Sequence, residues 1–169
     1  RREGKPEEDS WVTRSNILVV NPGEFFQGAV SGAVANLKLE VSDHAQVYLA
    51  QLLGQFIKQE NFYPVDAEGR RADTLTQQLA SALEEESLEM RAKRMRQLGD
   101  FSLYVAGFFT DSLKRKLVDV DYYIGMGGAA YENVARLEDK KSKAQLFLEL
   151  SRRFPVFVDI LAQVSEDAG

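Results

Sequence analysis

The sequence has no cysteine and only one histidine, His44, among its 169 residues. The absence of cysteine excludes disulfides, thiolate nucleophiles, zinc ribbons and iron–sulfur clusters. A single imidazole also excludes most metal and acid–base sites that depend on histidine. A di-iron carboxylate bundle, for example, needs a Glu-x-x-His motif on each of two helices. We therefore expect neither a metal ion nor a cofactor.

Long apolar runs and a strong positive charge are missing as well. The apolar stretch at residues 103–109 is far shorter than the roughly 20 residues that cross a bilayer as a helix. The net charge is −5, whereas nucleic-acid binding needs many cations to neutralise phosphates. Basic residues cluster at 91–96 and 114–116, but acidic neighbours make a solvated helix face the favoured interpretation. The sequence thus predicts a cytoplasmic protein that binds neither nucleic acid nor membrane.

Helical periodicity begins after residues 1–16, which are charged and aperiodic and are predicted to form a flexible arm. Apolar residues then recur at helical spacing, and polar residues of capping type precede several of these runs. The first helix is expected near Gly23. The next three are expected after Ser42, after Thr74 and near Ser87.

The second half of the chain continues this pattern. A heptad-like seam runs from Leu113 to Val134, without the flanking charges of a sustained coiled coil, and so predicts packing within the chain. Pro155 either kinks the last segment or opens a new helix there. Together these features predict an all-α, single-domain bundle of six or seven helices over residues 17–165, with little or no sheet.

One stretch, residues 101–109, is apolar on every face and is predicted to be the buried central element. Asp100 stands at its start, directly after Gly99. A buried carboxylate needs a partner, and Arg96, one helical turn earlier, is a geometric option. We interpret Asp100 and Arg96 as a structural ion pair and not as an active site.

The most unusual segment is residues 119–131, which places Gly125, Gly127 and Gly128 inside a predicted helix. Each glycine there costs roughly 1 kcal/mol relative to alanine, so something must compensate. Close packing against a crossing helix is the favoured explanation. The alternative is a pocket for a mostly apolar molecule, lined by Tyr122, Tyr123, Gly125, Met126, Gly127, Gly128 and Tyr131. Neither phosphate-loop nor dinucleotide-binding spacing is present.

Catalytic constellations are weak in this sequence. Asp119 and Asp121 lie two residues apart and so do not face one another on a helix. Ser112 and His44 lack the nucleophile elbow that would support a serine hydrolase. An enzyme using Asp100, these two aspartates and the tyrosines stays open as a less favoured alternative.

The segments Gly107-Phe-Phe-Thr-Asp-Ser-Leu and Asp121-Tyr-Tyr-Ile-Gly-Met-Gly-Gly-Ala-Ala-Tyr131 resemble an uncharacterised family of bacterial all-helical proteins. The similarity covers about residues 94–134. It implies a bacterial cytoplasmic protein and contributes no catalytic residue.

The function expected from these observations is a non-catalytic module that binds a protein partner or a small apolar ligand. The alternative is a self-assembling structural protein. Such a homodimer would bury either the Gly28/Gly32 face or the corner formed by Phe108 and Phe109.

Overall fold

The protein is described here by a computed structural model that covers residues 22–58, 70–109 and 120–168. Within these ranges the chain forms seven α-helices and no strand, which confirms the all-α bundle. The helices are α1 (Pro22–Asn36), α2 (Asp43–Lys58), α3 (Arg70–Glu84), α4 (Leu88–Phe108), α5 (Val120–Leu137), α6 (Lys141–Arg152) and α7 (Phe154–Ala168). None of these seven helices is long and apolar enough to cross a membrane. The predicted arm, residues 1–16, lies outside the described residues.

Two predicted helix starts are confirmed by their capping bonds. The Ser42 hydroxyl accepts a hydrogen bond from the Ala45 amide at 3.0 Å, and the Ser87 hydroxyl accepts one from the Met90 amide at 3.2 Å. Each bond satisfies a first-turn amide that has no partner within its helix. The predicted start at Thr74 is wrong, because α3 begins four residues earlier, at Arg70. Arginine and alanine are good helix formers, so the helix extends through this stretch and places Thr74 in its interior.

Pro155 opens a new helix and does not kink an existing one. Helix α6 ends at Arg152, and α7 begins at Phe154 with Pro155 in its first turn. A proline there sacrifices no helical hydrogen bond, since first-turn amides have no intrahelical acceptor. The Arg153 carbonyl instead accepts the amides of Val156 and Phe157 at 2.8 and 3.2 Å.

Helix α4 is the central element, as its apolar run predicts. Its residues 102–107 are all buried. It packs most extensively against α5 and also contacts α7, α3 and α2. The core therefore surrounds the second half of α4, and any polar residue at its margin, such as Asp100, is held between helices.

A tight turn after α1 directs the chain into α2. The Leu39 amide donates to the Val34 carbonyl and the Lys38 amide to the Ala35 carbonyl, both at 3.1 Å, which is the Schellman arrangement. Lys38 takes the left-handed position of this motif with φ of 56°. Glycine is usual at that position because a side chain is strained there.

The residues just before α2 are hydrogen-bonded to residues at the end of α6. The Glu149 carboxylate accepts the Ser42 hydroxyl at 2.6 Å and the Ser42 amide at 3.0 Å. The Arg153 guanidinium donates to the Glu40 carbonyl at 2.6 Å. These bonds place α2 beside α6 and so define one side of the site described next.

Candidate functional site

Asp100 lies at the junction of three helices and is only 8% exposed. Its Oδ1 atom accepts two hydrogen bonds, from the hydroxyls of Tyr48 on α2 and Tyr131 on α5, each at 2.6 Å. The carboxylate therefore links α4, on which it lies, to both neighbours. Buried carboxylates need such donors, because an unpaired charge in the interior is strongly unfavourable.

Arg96, one turn earlier on α4, lies at the outer edge of this group. Its Nε donates to the Tyr48 hydroxyl at 3.0 Å and lies 3.9 Å from Asp100 Oδ2. Its guanidinium carbon is 5.2 Å from the centre of the Tyr48 ring and 6.0 Å from that of Phe147, within the range of cation–π attraction. The nearest acceptor of Arg96 is thus a tyrosine, and its contact with Asp100 is longer. We call Tyr48, Arg96, Asp100 and Tyr131 the Asp100 network.

Burial controls the ionisation of the network. Loss of water raises the pKa of Asp100 above its usual value, while the two tyrosine hydroxyls and Arg96 partly oppose that rise. The pKa of Tyr48 and that of Tyr131 both rise well above the ordinary phenol value. Burial is the first cause in each case, and the negative charge of Asp100 is the second. Both tyrosines therefore keep their protons and act as donors to Asp100.

The hydrogen bonds of this network engage both tyrosine hydroxyl groups. Each tyrosine directs its proton to Asp100, so neither hydroxyl is left to donate to a bound molecule. A tyrosine whose pKa is raised is also a poor general base near neutral pH. The Asp100 network therefore links α4 to α2 and α5, and both tyrosine protons are used within it.

Gly99 makes the network possible. A Cβ atom at this position would lie 2.6 Å from Tyr131 Cδ1, far closer than carbon atoms can pack. The bare backbone of α4 thus lets the Tyr131 ring lie against it and reach Asp100. Sequence reasoning missed this role of Gly99 and also missed Tyr48, although the Gly99-Asp100 pair at the edge of an apolar run was a usable signal.

The glycine-rich segment of α5 contains positions with different surroundings. At Gly127 a Cβ atom would lie 2.6 Å from Phe154 Cε2 and 2.9 Å from Ser102 Cβ, so neighbouring helices α7 and α4 fill this space. The Gly128 carbonyl accepts the Ser151 hydroxyl at 2.8 Å. Gly125 is exposed, and no atom lies within 4 Å of where its Cβ would be.

The other residues of the predicted pocket point in several directions. Tyr123 and Tyr131 are fully buried in the core, whereas Met126 is half-buried. The Tyr122 hydroxyl lies 2.6 Å from the Thr76 hydroxyl of α3. The structure therefore does not bring the seven predicted residues together on one surface. Only Tyr131 belongs to the Asp100 network.

The remaining sequence candidates are scattered or not described. Asp121 is exposed on the first turn of α5, and Ser112 and Asp119 lie outside the described residues. Across residues 22–58, 70–109 and 120–168, no three side chains of His, Asp or Glu converge into a group that could hold a metal ion.

A groove of about 310 Å³ opens between α2 and α6, directly beside the Asp100 network. We call it the α2/α6 groove. Its lining consists of His44, Val47, Tyr48, Gln51, Ser142, Lys143 and Leu146. Tyr48 belongs to both structures, since the residue lines the groove with the 7% of its surface that is exposed while its hydroxyl donates to Asp100. Its ring also meets that of Phe147 on α6 edge to face, with the ring centres 5.4 Å apart.

Comparison of this chain with protein-family models, curated proteins and solved structures finds no match. The resemblance of residues 94–134 to a bacterial helical family therefore stays a prediction. The function is inferred below from the α2/α6 groove and the Asp100 network alone.

Proposed function

We propose that this protein is a non-catalytic binding module that takes a small, mostly apolar molecule in the α2/α6 groove. The observation that carries the proposal is the composition of the lining. Val47, Tyr48 and Leu146 offer apolar surface, and the other four lining residues are polar groups around them. Although four of the seven lining residues are polar, most of the surface that the lining exposes is apolar. A mostly apolar surface with polar groups at its margin is the usual make-up of small-molecule sites.

The size of the groove limits the ligand. Its volume of about 310 Å³ is near the lower end of the range for such sites. At about 30 Å³ per water molecule in the liquid, this is the space of roughly ten waters. A ligand of about ten non-hydrogen atoms fits it. With roughly 0.3 to 0.6 kcal/mol gained per atom, its dissociation constant would lie between several millimolar and about 40 μM.

The Asp100 network holds Tyr48, one of the lining residues of the groove, in a fixed position. Tyr48 is fixed at its hydroxyl by Asp100 and Arg96 and at its ring by Phe147. A wall that is already fixed loses little side-chain freedom when a ligand binds, which favours affinity. The network thus has a role in binding without taking part in any reaction.

A titration with 1-octanol, which has nine non-hydrogen atoms, tests the proposal. We expect saturable shifts of the backbone amide NMR signals in residues 43–51 and 141–147, with little change elsewhere in the bundle. Shifts that grow linearly without saturation, or that spread over the whole surface, would show that the groove is not a binding site.

A matched pair of variants on α2 sharpens this test. Val47 lines the groove and is 40% exposed, while Ile57, outside the groove, is 37% exposed. An aspartate at either position adds the same charge at similar exposure. Val47→Asp should therefore abolish octanol binding and Ile57→Asp should preserve it. Equal effects of the two substitutions would contradict binding in the groove.

Self-association through α1 is a second candidate function. Gly28 and Gly32 lie one turn apart and are both exposed, and no atom lies within 4 Å of their absent Cβ positions. A second copy could approach the helix backbone closely at this face. Phe108 and Phe109, by contrast, pack against Tyr104, with ring centres 4.9 and 5.9 Å from its own. Light scattering over a concentration series should reach twice the chain mass, and a constant monomer mass would exclude this candidate.

We further propose, from the resemblance at residues 94–134, that the protein is bacterial and acts in the cytoplasm. The helices of the described residues, none of which could span a membrane, are compatible with that location.

A further inference from the structure

The lining of the α2/α6 groove contains charge of only one sign. Lys143 provides an ammonium group, while the other six lining residues carry no formal charge at pH 7. The chain as a whole carries a net charge of −5, so this composition differs from the average of the molecule.

Arg96 does not line the groove but contacts Tyr48, which does. Its guanidinium lies over the Tyr48 ring, and 53% of its side chain is exposed. Asp100 offsets part of this charge, but its nearest oxygen is 3.9 Å from Arg96 Nε and it accepts both tyrosine hydroxyls.

The acidic side chains near the ends of the groove are directed to other partners or lie outside its lining. Glu149 is bonded to the hydroxyl and amide of Ser42, at the start of α2. Glu138 accepts the Lys140 amide at 3.1 Å, just before α6. Asp43 is exposed beside His44 and does not line the groove. Lys143 therefore faces a groove that supplies no counter-charge of its own.

We propose that the ligand of the α2/α6 groove is a small amphipathic anion, with an apolar chain and one carboxylate. The chain would lie against Val47, Tyr48 and Leu146, and the carboxylate would pair with Lys143. The volume of about 310 Å³ suits a free monocarboxylate and is too small for a two-chain membrane lipid. This inference rests on the function proposed above and adds the charge of the ligand to it.

Three probes with the same eight-carbon chain separate the two proposals: octanoate, 1-octanol and octylammonium. Each is titrated at pH 7.5 and low salt, and its dissociation constant is obtained from the amide shifts of α2 and α6. A single, partly exposed ion pair corresponds to a difference of about two- to five-fold. We therefore expect octanoate to bind about two- to five-fold more tightly than octanol, and octylammonium more weakly than octanol.

Charge reversal at Lys143 provides the decisive variant. Lys143→Glu should reverse the order so that octylammonium binds more tightly than octanoate. Lys141→Glu is the matched control, because Lys141 is exposed on the same helix but does not line the groove. It makes the same change in net charge and should keep the original order. High salt should shrink the differences in every case, since screening weakens exposed pairs.

The titration results distinguish failure of the anionic-ligand proposal from failure of the binding function itself. Equal binding of octanoate and octanol, or tighter binding of octylammonium, would overturn the anionic ligand while the binding function would stand. An order that Lys143→Glu leaves unchanged would overturn the pairing with Lys143. The absence of saturable shifts with all three probes would overturn both proposals together.

Discussion

The two glycines of α5 that lie two residues apart should respond in opposite directions to the same substitution. Gly125 has no atom within 4 Å of its absent Cβ, so alanine there meets no obstacle. Alanine stabilises a helix interior by about 1 kcal/mol relative to glycine. Gly125→Ala should therefore raise the free energy of unfolding by about 1 kcal/mol.

Gly127→Ala gains the same helix propensity but meets the ring of Phe154. The new Cβ would lie 2.6 Å from Phe154 Cε2 and 2.9 Å from Ser102 Cβ, whereas carbons pack at about 3.5–4.0 Å. The ring or the helix must then move by roughly 1 Å. Phe154 is 1% exposed and has little free space to move into. Overpacking of this kind costs about 1–3 kcal/mol, so we expect a net loss of up to about 2 kcal/mol.

Urea unfolding followed by circular dichroism measures both effects. The variants should differ from each other by about 1–3 kcal/mol at unchanged slope, which for a chain of this size is a gap of roughly 2–12 °C in melting temperature. Gly128→Ala is the control. The nearest atoms to its absent Cβ are 3.5 and 4.0 Å away, which is ordinary contact, so it should stabilise by up to about 1 kcal/mol, as Gly125→Ala does. If Gly127→Ala stabilised as much as Gly125→Ala, the space beside Gly127 would be open, and close packing would not explain the glycine at this position.

Substitutions at three further positions, Asp100, Lys38 and Gly32, test other parts of the fold. Asp100→Ala leaves two tyrosine hydroxyls without their buried acceptor and should lower the free energy of unfolding by about 3–5 kcal/mol, as measured by urea unfolding. A decrease of less than about 1 kcal/mol would contradict a stabilising role for these hydrogen bonds. The pKa of Asp100 is raised in the folded state, so the folded state binds the Asp100 proton more tightly than the unfolded state does. The free energy of unfolding of the wild type, relative to that of Asp100→Asn, should therefore fall as the pH rises above about 4. An increase over the same pH range would contradict the direction of the pKa shift. Lys38→Gly removes the side chain that is strained in the left-handed conformation, and it should raise the free energy of unfolding by about 1 kcal/mol in the same assay. Lys38→Ala keeps a Cβ atom and should change this free energy little. Equal effects of the two substitutions would show that the backbone at residue 38 is not strained. Gly32→Ala should stabilise a monomer by up to about 1 kcal/mol, but it should weaken any dimer that packs on this face, as measured by light scattering.

The fold class and the starts of α2 and α4 follow from the sequence alone. Helical periodicity is a local property, and the hydroxyls of Ser42 and Ser87 cap helices whose amides lie only three residues away. The same reasoning misplaced the start of α3 at Thr74, because residues of capping type also occur inside helices when the residues before them favour helix.

The position of the site, by contrast, depends on contacts between distant parts of the chain. Asp100 stood out in the sequence, but its two donors are 52 and 31 residues away along the chain, and no local pattern connects them. Gly125 and Gly127 are equivalent in the sequence, yet only Gly127 faces Phe154, because the crossing of α5 and α7 sets that contact. The α2/α6 groove likewise exists because two helices distant in sequence meet through Tyr48 and Phe147 and leave space beside them. Spacing along one chain determines which face of a helix is apolar, whereas the partner of that face depends on how all seven helices pack.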